Sequence, residues 1–566
     1  MKVYKTILKN IILIFSWTLS VIICLMVIFA LTCTVLYYRA DMKVPDITSE
    51  RVTDTLAVEE SFFRFGGNML RKSESGLYEM RISGKDFERG VAIGALTKDL
   101  LYYQEKVFVD QIRRMVPSEG YLKFLEIFTK IFNRNLGENV TEELRREILG
   151  ISLSCTDEFN AIGTPYERQL NYHSAHDLGH AMQDYMLVGC SSFAVWGDRS
   201  TDWSLVIGRN FDFYMGEDFA KNKIVYICRP ERGYNFLSVT WAGMIGVLSG
   251  MNETGLTVTI NAAKSSMPTS TATPISLLTR EILQYASTIE EAYEIASKRK
   301  TFVAESILIG SAKDGRAAVI EKSPDAIALY EVPEEEEYLV CTNHYQSEYF
   351  MKDAANLENI ATSDSKYREE RLRELIVKKS PVDEHDAASI LRDRRGLAGK
   401  NIGLTNEKAI NQMIAHHSVI FKPEEKIVWV STSPWQLGKY VAYDLNEIFS
   451  DSLDFSKEIY TAEIEIPEDP FLKSQGYENL LAFVSLSGKI RSFESSKQSV
   501  LSHETIEAYI ASNPNFYGTY ELLGDYYLLI EDRKSAVEQW KKALQLELPR
   551  LADKQKLEKK IRKNAK

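Results

Sequence analysis

The segment from Asn10 to Tyr38 limits what this chain can fold into more than any other part, because it carries no charged side chain. It is rich in Ile, Leu, Val and Phe, and it is longer than the roughly 20 residues that a helix needs to cross a bilayer. Backbone groups inside lipid must pair within their own segment, which leaves a helix as the expected structure. No small-residue cleavage site closes the apolar run, which disfavours a cleaved signal peptide. We predict a cytoplasmic stub and transmembrane helix in residues 1–40, with residues 10–38 in the membrane.

Charged residues on the two sides of this segment predict its orientation. Three lysines precede it, whereas the basic residues that follow it are mixed with acidic ones. The positive-inside rule then favours a single-pass protein of the cell membrane, with the N-terminus in the cytoplasm and the rest of the chain outside it. The residues concerned are Lys2, Lys5 and Lys9 before the segment, and Arg39, Asp41, Lys43 and Asp46 after it.

The remaining composition is that of a globular protein with more than one domain. The chain has 566 residues, of which 45% are hydrophobic, and this is enough for a sizeable core. Its 68 basic and 79 acidic residues give a net charge of −11, which argues against nucleic acid as a partner. The cysteines, at positions 24, 33, 155, 190, 228 and 341, include no CxxC pair and no zinc-like spacing, and they do not indicate a disulfide framework.

Cys190 is the strongest candidate for a reactive group. It follows Gly189 at the start of a predicted strand, and Arg209 and Asp212 lie three residues apart on the next predicted strand. A free thiol has a pKa of about 8.5, so it needs a base at neutral pH, and no histidine stands at a recognisable spacing to serve as one. If the bond between Gly189 and Cys190 is cut, the new α-amino group, with a pKa of roughly 7.7–8, lies beside its own sulfur and supplies that base.

The same thiol can make the cut by attacking the Gly189 carbonyl, which forms a thioester that water then opens. Glycine tolerates the strained geometry of such an attack because it has no Cβ. We expect Arg209 to favour the thiolate, and Asp212 to hold the amine and the substrate amide. The alternative is that Cys190 is an inert buried cysteine and that Arg209 and Asp212 form a local salt bridge.

Motifs further along the chain resemble a known enzyme group. The run Gly250–Leu256, which continues to Asn261-Ala262-Ala263, resembles the second hairpin of the choloylglycine hydrolase and penicillin acylase group, and in particular of the acyl-CoA:6-aminopenicillanate acyltransferase-like, or peptidase C45-like, proteins. Thr342-Asn343-His344 is a second match, and Ile82–Gly90 resembles the start of the α-subunit in that family. The resemblance covers roughly residues 75–450 and implies a self-processing N-terminal nucleophile (Ntn) hydrolase.

The resemblance also implies roles for two asparagines. Asn261 would donate to the oxyanion that forms when the thiol attacks an amide, and Asn343 would line the same site. The loss of one such donor typically costs about 3–4 kcal/mol of barrier. By residue type alone, Asn252 could donate to the oxyanion as well as Asn261. The segment Asn252–Gly255 is typical of a hairpin turn between apolar runs, so we assign a structural role to Asn252.

A further segment, Ser365-Lys366-Tyr367-Arg368, resembles the one that supplies a late arginine to the site. The form seen in bile salt hydrolases puts Lys366 at the arginine position, whereas the acyltransferase-like form favours Arg368. Arg368 is our candidate, and both residues remain open at this stage.

The expected fold class is α+β. Short apolar runs between turn signals indicate antiparallel hairpins, and helical spacing is present before Cys190 and after Pro274. The resemblance implies a four-layer αββα Ntn-hydrolase sandwich of antiparallel strands, to which we add the N-terminal transmembrane helix and a C-terminal helical hairpin. The expected domains after residue 40 are a linker leading into the fold (41–80), a helical α-subunit-like pro-region (81–189), the catalytic domain (190–450), a connecting segment (451–500) and a tetratricopeptide-like helical region (501–566).

Two groups of histidines offer competing chemistry. His173, His176 and His180, with Asp177 among them, would lie near one face of a helix and could bind a metal, which would make the protein a metal-dependent hydrolase. No other ligand set completes such a site, and we favour a role in positioning the cleavage junction. His416-His417 could belong to a catalytic triad, but we interpret the pair as the beginning of a strand.

The C-terminal region has the spacing of one tetratricopeptide helix hairpin. A single repeat cannot bury its own faces, so we expect it to pack on residues 500–514 and the tail, or on the catalytic domain, and it is a candidate surface for a protein partner. The residues that define the spacing are Tyr520, Leu523, Gly524, Tyr527, Ala536, Trp540 and Ala543.

Together these patterns predict a membrane-anchored, self-processing cysteine hydrolase or acyltransferase. It would act on a small-molecule linear amide through a thioester at Cys190, with water or an amine as the acyl acceptor. Neither a metal nor another cofactor is expected. An alternative of a different class is a non-enzymatic scaffold, tethered to the membrane, in which a degenerate hydrolase fold presents the helical repeat.

Overall fold

Two large β-sheets lie face to face at the centre of the chain, and helices cover the outer face of each. This is the arrangement in the computed structural model, which describes residues 2–59, 62–116, 118–174, 187–265, 271–493 and 500–565. The predicted α+β class and the four-layer αββα order are confirmed. The N-terminal apolar helix and the C-terminal helices are attached to this central sandwich.

The strands occur throughout the region between residues 56 and 466. In chain order they are β1 (Leu56–Glu59), β2 (Phe62–Phe65), β3 (Asn68–Lys72), β4 (Tyr78–Gly84), β5 (Leu187–Val188), β6 (Ser191–Gly197), β7 (Trp203–Tyr214), β8 (Ile224–Pro230), β9 (Phe236–Thr240), β10 (Ser249–Asn252), β11 (Leu256–Ala262), β12 (Glu305–Ser311), β13 (Arg316–Lys322), β14 (Ile327–Tyr330), β15 (Tyr338–Cys341), β16 (Ala415–Lys422), β17 (Ile427–Ser431), β18 (Tyr440–Asp444) and β19 (Thr461–Ile466).

The helices fall into groups before, within and after the strand region. They are α1 (Lys2–Tyr38), α2 (Asp86–Leu96), α3 (Lys98–Met115), α4 (Glu119–Phe132), α5 (Glu142–Ser152), α6 (Pro165–His173), α7 (Ile275–Tyr285), α8 (Ile289–Lys298), α9 (Ala354–Thr362), α10 (Ser365–Lys379), α11 (Glu384–Leu391), α12 (Leu445–Ile448), α13 (Gln475–Ser492), α14 (His503–Ser512), α15 (Tyr517–Leu529), α16 (Arg533–Ala543) and α17 (Leu551–Asn564).

The order of strands in the smaller sheet places β6, β7 and β16 side by side. Across the described residues, the larger sheet runs β1-β2-β3-β4-β8-β9-β10-β11-β12-β13-β14, and the smaller one runs β15-β6-β7-β16-β17-β18-β19. The strands β4 and β8 are parallel, and the other pairs in these sheets are antiparallel. Because β7 lies between β6 and β16, the segment after residue 190 and the strand that holds the histidine pair flank the same strand.

Alternation along the central strands explains how each sheet buries both of its faces. Ile307 and Ile309 of β12 pack with the helices outside the larger sheet, whereas Leu308 packs between the two sheets. In β16, Ile420 packs with the helices outside the smaller sheet, and Val419 packs between the sheets. Successive side chains of a strand point to opposite faces, so a strand covered on both sides is apolar throughout.

The structure differs from the prediction for residues 41–80, which the sequence indicated as a linker. This segment contains β1, β2, β3 and the beginning of β4, and Leu70 and Met80 are buried in the outer core of the larger sheet. The linker interpretation failed because these strands are only four to seven residues long and because β4 pairs with β8, a strand far away in the sequence. The expected linker is therefore part of the larger sheet.

Helix α1 is long and apolar enough to cross a membrane. Its span from Asn10 to Tyr38 has a mean hydropathy of 2.8, none of it is buried, and it is the single helix of this kind in the part of the chain that the structure describes. Where α1 ends, the chain is attached to the sandwich, because the Asp41 backbone N–H donates to the Arg134 C=O at 3.0 Å. The end of the apolar helix is thus held against the protein body.

Helix α4 lies beside this point and leaves an apolar face exposed. The Lys130 ammonium of α4 is 4.7 Å from the ring centroid of Tyr37 at the end of α1. No side chain of α4 is buried, and four of its large apolar residues are 38% to 57% exposed. These residues are Tyr121, Phe124, Ile127 and Phe128.

Helices α15 and α16 form the predicted hairpin at the C-terminus. Trp540 is buried against Gly524, and its Nε1 donates to the Asp525 carboxylate at 3.1 Å. The hairpin packs on α14, α17 and also α13, and the Tyr517 hydroxyl donates to Glu407 of the sandwich at 2.9 Å. Its assignment as a tetratricopeptide repeat stays a prediction.

Candidate active site

Strand pairing brings Cys190 beside Arg209. Cys190 immediately precedes β6, and β6 pairs with β7 so that Ser192 lies opposite Arg209. The distance from Arg209 Nη2 to Cys190 Sγ is 3.8 Å, and both residues are at most 1% exposed. The structure therefore brings together the first two residues that the sequence singled out.

Backbone carbonyls of the larger sheet hold Arg209 in place. Its guanidinium donates to the C=O of Leu248 at 3.1 Å and to the C=O of Ile260 at 2.5 Å. The guanidinium carbon also lies 4.4 Å from the ring centroid of Phe211. Burial lowers the pKa of Arg209, and the fixed contacts keep the cation aimed at the sulfur.

The histidine pair supports Arg209 from another side. His417 Nε2 lies 2.8 Å from the Ser249 Oγ and 3.4 Å from Arg209 Nη1. Burial lowers the pKa of His416 to about 3 and the pKa of His417 well below its usual value, so both rings are neutral. Within the described residues, the hydrogen-bond contacts of His417 are with these groups and with His416, not with the thiol. The pair lies near the start of β16, as predicted, and His417 contacts the guanidinium of Arg209.

The thiol of Cys190 is protonated in the intact chain. Burial raises its pKa to about 11, and the charges of Asp212 and Glu305 act in the same direction. Arg209 and Arg368 oppose this shift, as expected for cations, but their effect is smaller. The expectation that Arg209 favours the thiolate holds for the direction of its influence, while burial decides the outcome. A group that takes up this proton is therefore needed when the sulfur attacks.

Asp212 is a buried carboxylate next to the Gly189–Cys190 bond. The Gly189 backbone N–H donates to the Asp212 backbone C=O at 3.1 Å. Among the described residues, neither side-chain oxygen of Asp212 has a hydrogen-bond partner. Burial raises the pKa of Asp212 to about 7, against the opposite influence of Arg368 and Arg209. A carboxylate can only accept, so this site calls for a donor such as an α-ammonium group, which has three N–H bonds.

Arg368, rather than Lys366, reaches the nucleophile. Arg368 Nη1 donates to the Cys190 C=O at 2.6 Å, and Nη2 donates to the Asn343 Oδ1 at 2.7 Å and to the Asp364 Oδ1 at 2.8 Å. The side chain of Lys366 is 44% exposed and pairs with a glutamate on its own helix. The two candidates that the sequence left open therefore occupy different environments, because residues two apart on a helix point in different directions.

The two asparagines bridge strands near the site. Asn261 donates its amide N–H to the Cys341 C=O at 2.9 Å and accepts from the Ser192 hydroxyl at 2.9 Å. Asn343 donates to the Ala262 C=O at 2.9 Å while it accepts from Arg368. Each amide nitrogen carries two N–H bonds, so each retains one donor beyond these contacts. Asn252, which the sequence assigns to structure, caps the hairpin by accepting from the backbone N–H groups of Thr254 and Leu256.

His173 is a structural residue. Its Nδ1 lies 2.7 Å from the Gln169 C=O, and its Nε2 accepts from the Ile245 backbone N–H at 3.1 Å. Both ring nitrogens are thus occupied, and burial lowers the pKa of His173 to about 4. His176, Asp177 and His180 lie outside the described residues. Within the described ranges no group of three or more His, Cys, Asp or Glu is arranged to hold a metal ion, and His173 does not support the metal-dependent alternative.

Sequence reasoning missed several residues of the site. Ser249 touches Arg209, and Glu305 raises the pKa of Cys190. Gln412 donates to the Gly189 C=O at 2.9 Å and so contacts the junction before Cys190 rather than the thiol. Each comes from a different part of the chain. The sequence indicates His416-His417 only as the beginning of a strand, and the contact of His417 with Arg209 follows from the pairing of β16 with β7.

Part of the chain matches a known family. Residues 198–433 match the model of the acyl-coenzyme A:6-aminopenicillanic acid acyl-transferase family. The matched range begins just after Cys190 and includes the other predicted catalytic residues. The resemblance inferred from the motifs is confirmed for this range, and it supports hydrolysis of an amide or transfer of its acyl group as the reaction class.

Two curated proteins are similar to this chain. An uncharacterized protein of Archaeoglobus fulgidus is 25% identical over 338 residues, which are 54% of this chain and 55% of that protein. Protein dcd1B of Dictyostelium discoideum is 22% identical over 272 residues, which are 44% of this chain and 51% of that protein. The chain therefore spans about half the length of the curated relatives it matches.

Solved structures are similar to just under half of the chain. A Caenorhabditis elegans ortholog of N-acylethanolamine-hydrolyzing acid amidase is 18% identical with a TM-score of 0.31, over 42% of this chain and 93% of that chain. A mutant of the conjugated bile acid hydrolase from Clostridium perfringens is 14% identical with a TM-score of 0.30, over 48% of this chain and 95% of that chain.

The Asp212 carboxylate, which has no hydrogen-bond partner in the described part of the chain, predicts a pH-dependent stability in an uncleaved Cys190→Ala background. With its pKa raised to about 7 in the folded state, Asp212 keeps a proton that the unfolded chain loses above about pH 4. The free energy of unfolding should therefore fall as the pH rises from about 4 to about 7. We expect Asp212→Asn to stabilise this background by about 2–4 kcal/mol at pH 8 and by less than about 0.5 kcal/mol at pH 4. Denaturant unfolding at both pH values measures this, and equal stability at pH 8 would contradict an unpaired carboxylate.

Substitution of the two basic residues on α10 separates their roles. Arg368→Lys keeps the charge but cannot donate to Cys190 and Asn343 at once, so we expect acylation of Cys190 to slow roughly 100-fold. Lys366→Ala should change that rate less than about threefold, because the lysine contacts solvent and a glutamate. The rate is measured with a p-nitrophenyl ester as acyl donor. A large loss with Lys366→Ala and none with Arg368→Lys would reverse the assignment.

Proposed function

We propose that the protein is a membrane-anchored cysteine Ntn hydrolase that cuts its own Gly189–Cys190 bond and then cleaves, or transfers the acyl group of, a linear amide. The observation that carries the proposal is the Asp212 carboxylate, which has no hydrogen-bond partner among the described residues and lies close to the buried, protonated thiol of Cys190. A new α-amino group at Cys190 would serve both groups, as a base for the sulfur and as a donor for the carboxylate. The match of residues 198–433 supports the reaction class.

Activation of the nucleophile follows from the freed amine. The α-amino group of Cys190 takes the thiol proton, and the resulting ammonium pairs with Asp212. Arg209 stabilises the thiolate from 3.8 Å, and Arg368 holds the Cys190 C=O so that the sulfur keeps its direction. The ammonium later returns its proton to the leaving nitrogen of the substrate.

Acyl transfer itself needs donors for a developing oxyanion. The thiolate attacks the acyl carbon, the C–N bond of the substrate breaks, and a thioester remains on Cys190. Asn261 and Asn343 supply the oxyanion donors with the N–H bonds that their backbone contacts leave over. The thioester then passes its acyl group to water or to an amine. The α-amino group of Cys190 and the protein's own side chains supply all these roles, so the proposal requires no cofactor.

A ridge of aromatic rings favours an amide with an apolar acyl group. Phe211, which lies against Arg209, stacks on Phe213 with 5.6 Å between ring centroids, and Phe219 and Trp241 continue the series at 5.9 Å and 5.0 Å. Phe213, Phe219 and Trp241 line a cavity to which α3 adds both apolar and polar residues and α6 adds polar ones. A small-molecule amide could place its acyl chain there and its carbonyl at Cys190.

The membrane anchor is proposed from two adjoining features. Helix α1 has the length and composition of a membrane span, and α4, which contacts its end, exposes Phe124 and Phe128. Phe side chains are typical of the apolar face of a helix that lies at a membrane surface. We place the N-terminus in the cytoplasm and the catalytic domain, residues 190–450, outside it; residues 501–566 remain a candidate surface for a protein partner. Nucleic acid is not a proposed partner.

Intact-mass spectrometry of the purified protein tests self-processing. We expect two chains, 1–189 and 190–566, from the wild type, and one uncleaved chain from Cys190→Ala, because the sulfur makes the cut. Cys341→Ala is the matched control, since it removes another fully buried cysteine, and it should cleave normally. A wild-type chain that stays whole, and whose Cys190 no acyl donor labels, would support the non-enzymatic scaffold instead.

Extraction of membranes tests the anchor. We expect the full chain to stay in the membrane pellet at alkaline pH in carbonate, because an apolar span is held by burial in lipid. A chain that lacks residues 1–38 should move to the supernatant. External protease should degrade the region after α1 in intact cells if the topology is as proposed. Release of the full chain by carbonate would exclude a spanning helix.

A further inference from the structure

Gln412 contacts the oxygen on which the self-processing reaction would place its negative charge. Its side-chain Nε2 donates to the Gly189 C=O at 2.9 Å, and Gln412 is 3% exposed. The Gly189 carbonyl belongs to the bond before Cys190. A donor already in contact with this oxygen, in a site shielded from water, is in the right place to stabilise an oxyanion there.

Gly189 allows this close approach because it has no side chain. A Cβ at position 189 would lie 2.7 Å from the Gln412 Oε1 and 2.9 Å from its Cδ, and closer still to Nε2. These distances are shorter than real Cβ atoms tolerate, so any larger residue would push the amide away. Gly189 and Gln412 therefore fit together as a pair.

The loop that carries Gln412 is held by the strand that carries Arg209 and Asp212. Between these two residues, Asn210 donates its side-chain N–H bonds to the Ile410 C=O at 3.0 Å and to the Leu391 C=O at 2.9 Å. After Gln412, Met413 has a φ of 58°, a conformation that costs a non-glycine residue energy. The glutamine is thus placed by the same framework as the predicted catalytic groups.

Hydrogen bonds hold the backbone carbonyls of both residues at the Gly189–Cys190 junction. Gln412 holds the Gly189 C=O, and Arg368 holds the Cys190 C=O at 2.6 Å. With both carbonyls fixed, the Gly189 carbon keeps one orientation toward the sulfur that follows it in the chain. Such positioning is one of the main sources of rate in reactions within a molecule.

We propose that Gln412 is the oxyanion donor of self-processing, an inference that rests on the proposed function. The Cys190 thiol gives its proton to the amide nitrogen of Cys190 as its sulfur bonds to the Gly189 carbonyl carbon, and the π electrons move to the carbonyl oxygen, where the Gln412 N–H stabilises the charge. When the carbonyl reforms, the C–N bond breaks and leaves the protonated Cys190 nitrogen as a free amine. Water then adds to the thioester carbon, the C–S bond breaks, and the products are a Gly189 carboxylate and a free thiol with a free amine.

The test follows cleavage of the full chain, made by cell-free synthesis in the presence of lipid nanodiscs, on denaturing gels. Gln412→Met keeps the length of the side chain but removes the donor, and we expect it to slow cleavage roughly 100-fold or more. The matched control is Gln436→Met, which removes another buried glutamine whose Nε2 donates to a backbone carbonyl, at 3.4 Å from the Leu391 C=O. This control should cleave at the wild-type rate.

A second measurement separates chemistry from misfolding. The acylation rate with a p-nitrophenyl ester, expressed per released N-terminal Cys190, should be the same for the cleaved fraction of Gln412→Met as for the wild type, since the inference assigns Gln412 to the cut and not to later turnover. If Gln412→Met cleaves at the wild-type rate, the inference is wrong but the proposed function is not. The same holds if Gln412→Met and Gln436→Met slow cleavage equally, or if the cleaved fraction of Gln412→Met loses acylation. A wild type that never cleaves would overturn the proposed self-processing, and the inference with it.

Discussion

The buried guanidinium of Arg209 is the interaction on which the site depends. It extends from a strand of the smaller sheet and donates to two backbone carbonyls of the larger one, so it joins the sheets at the point where the thiol lies. A buried cation is costly unless hydrogen bonds and nearby partial charges compensate it. Here carbonyl oxygens, a neutral histidine and an aromatic face provide that compensation. The geometry of the sheets therefore places a positive charge at a fixed position beside the sulfur.

In the intact chain, burial favours the protonated forms of Cys190 and Asp212. Burial keeps the thiol of Cys190 protonated, with its pKa raised to about 11, and it also raises the pKa of Asp212 to about 7. A peptide bond at Cys190 leaves no amine to correct either condition. Under the proposed function, cutting that bond creates a group that is both a base for the sulfur and a cation for the carboxylate. Processing would then relieve an electrostatic penalty that the fold itself creates.

Local sequence was informative where the chemistry is local. Arg209 and Asp212 lie on the second strand after Cys190, so their approach to the sulfur could be predicted from a simple hairpin. The role of Asn252 in its turn could be predicted for the same reason, because an asparagine can cap a hairpin with its own side chain. Residues 41–80 show the opposite case. Their strands are short, and β4 finds its partner in β8, so no local pattern reveals that they belong to a sheet.

By itself, the sequence determined the apolar N-terminal helix, the α+β class, the identity of the candidate nucleophile and the helical hairpin at the C-terminus, because each depends on composition or on spacing within a short stretch. The tertiary structure decided which residues surround the nucleophile. Arg368 reaches Cys190 while Lys366 does not, His173 is occupied by backbone groups, and Gln412 arrives from a loop more than two hundred residues away in the sequence. Contacts of this kind follow from the stacking of two sheets, and stacking is a property of the whole chain that no single segment encodes.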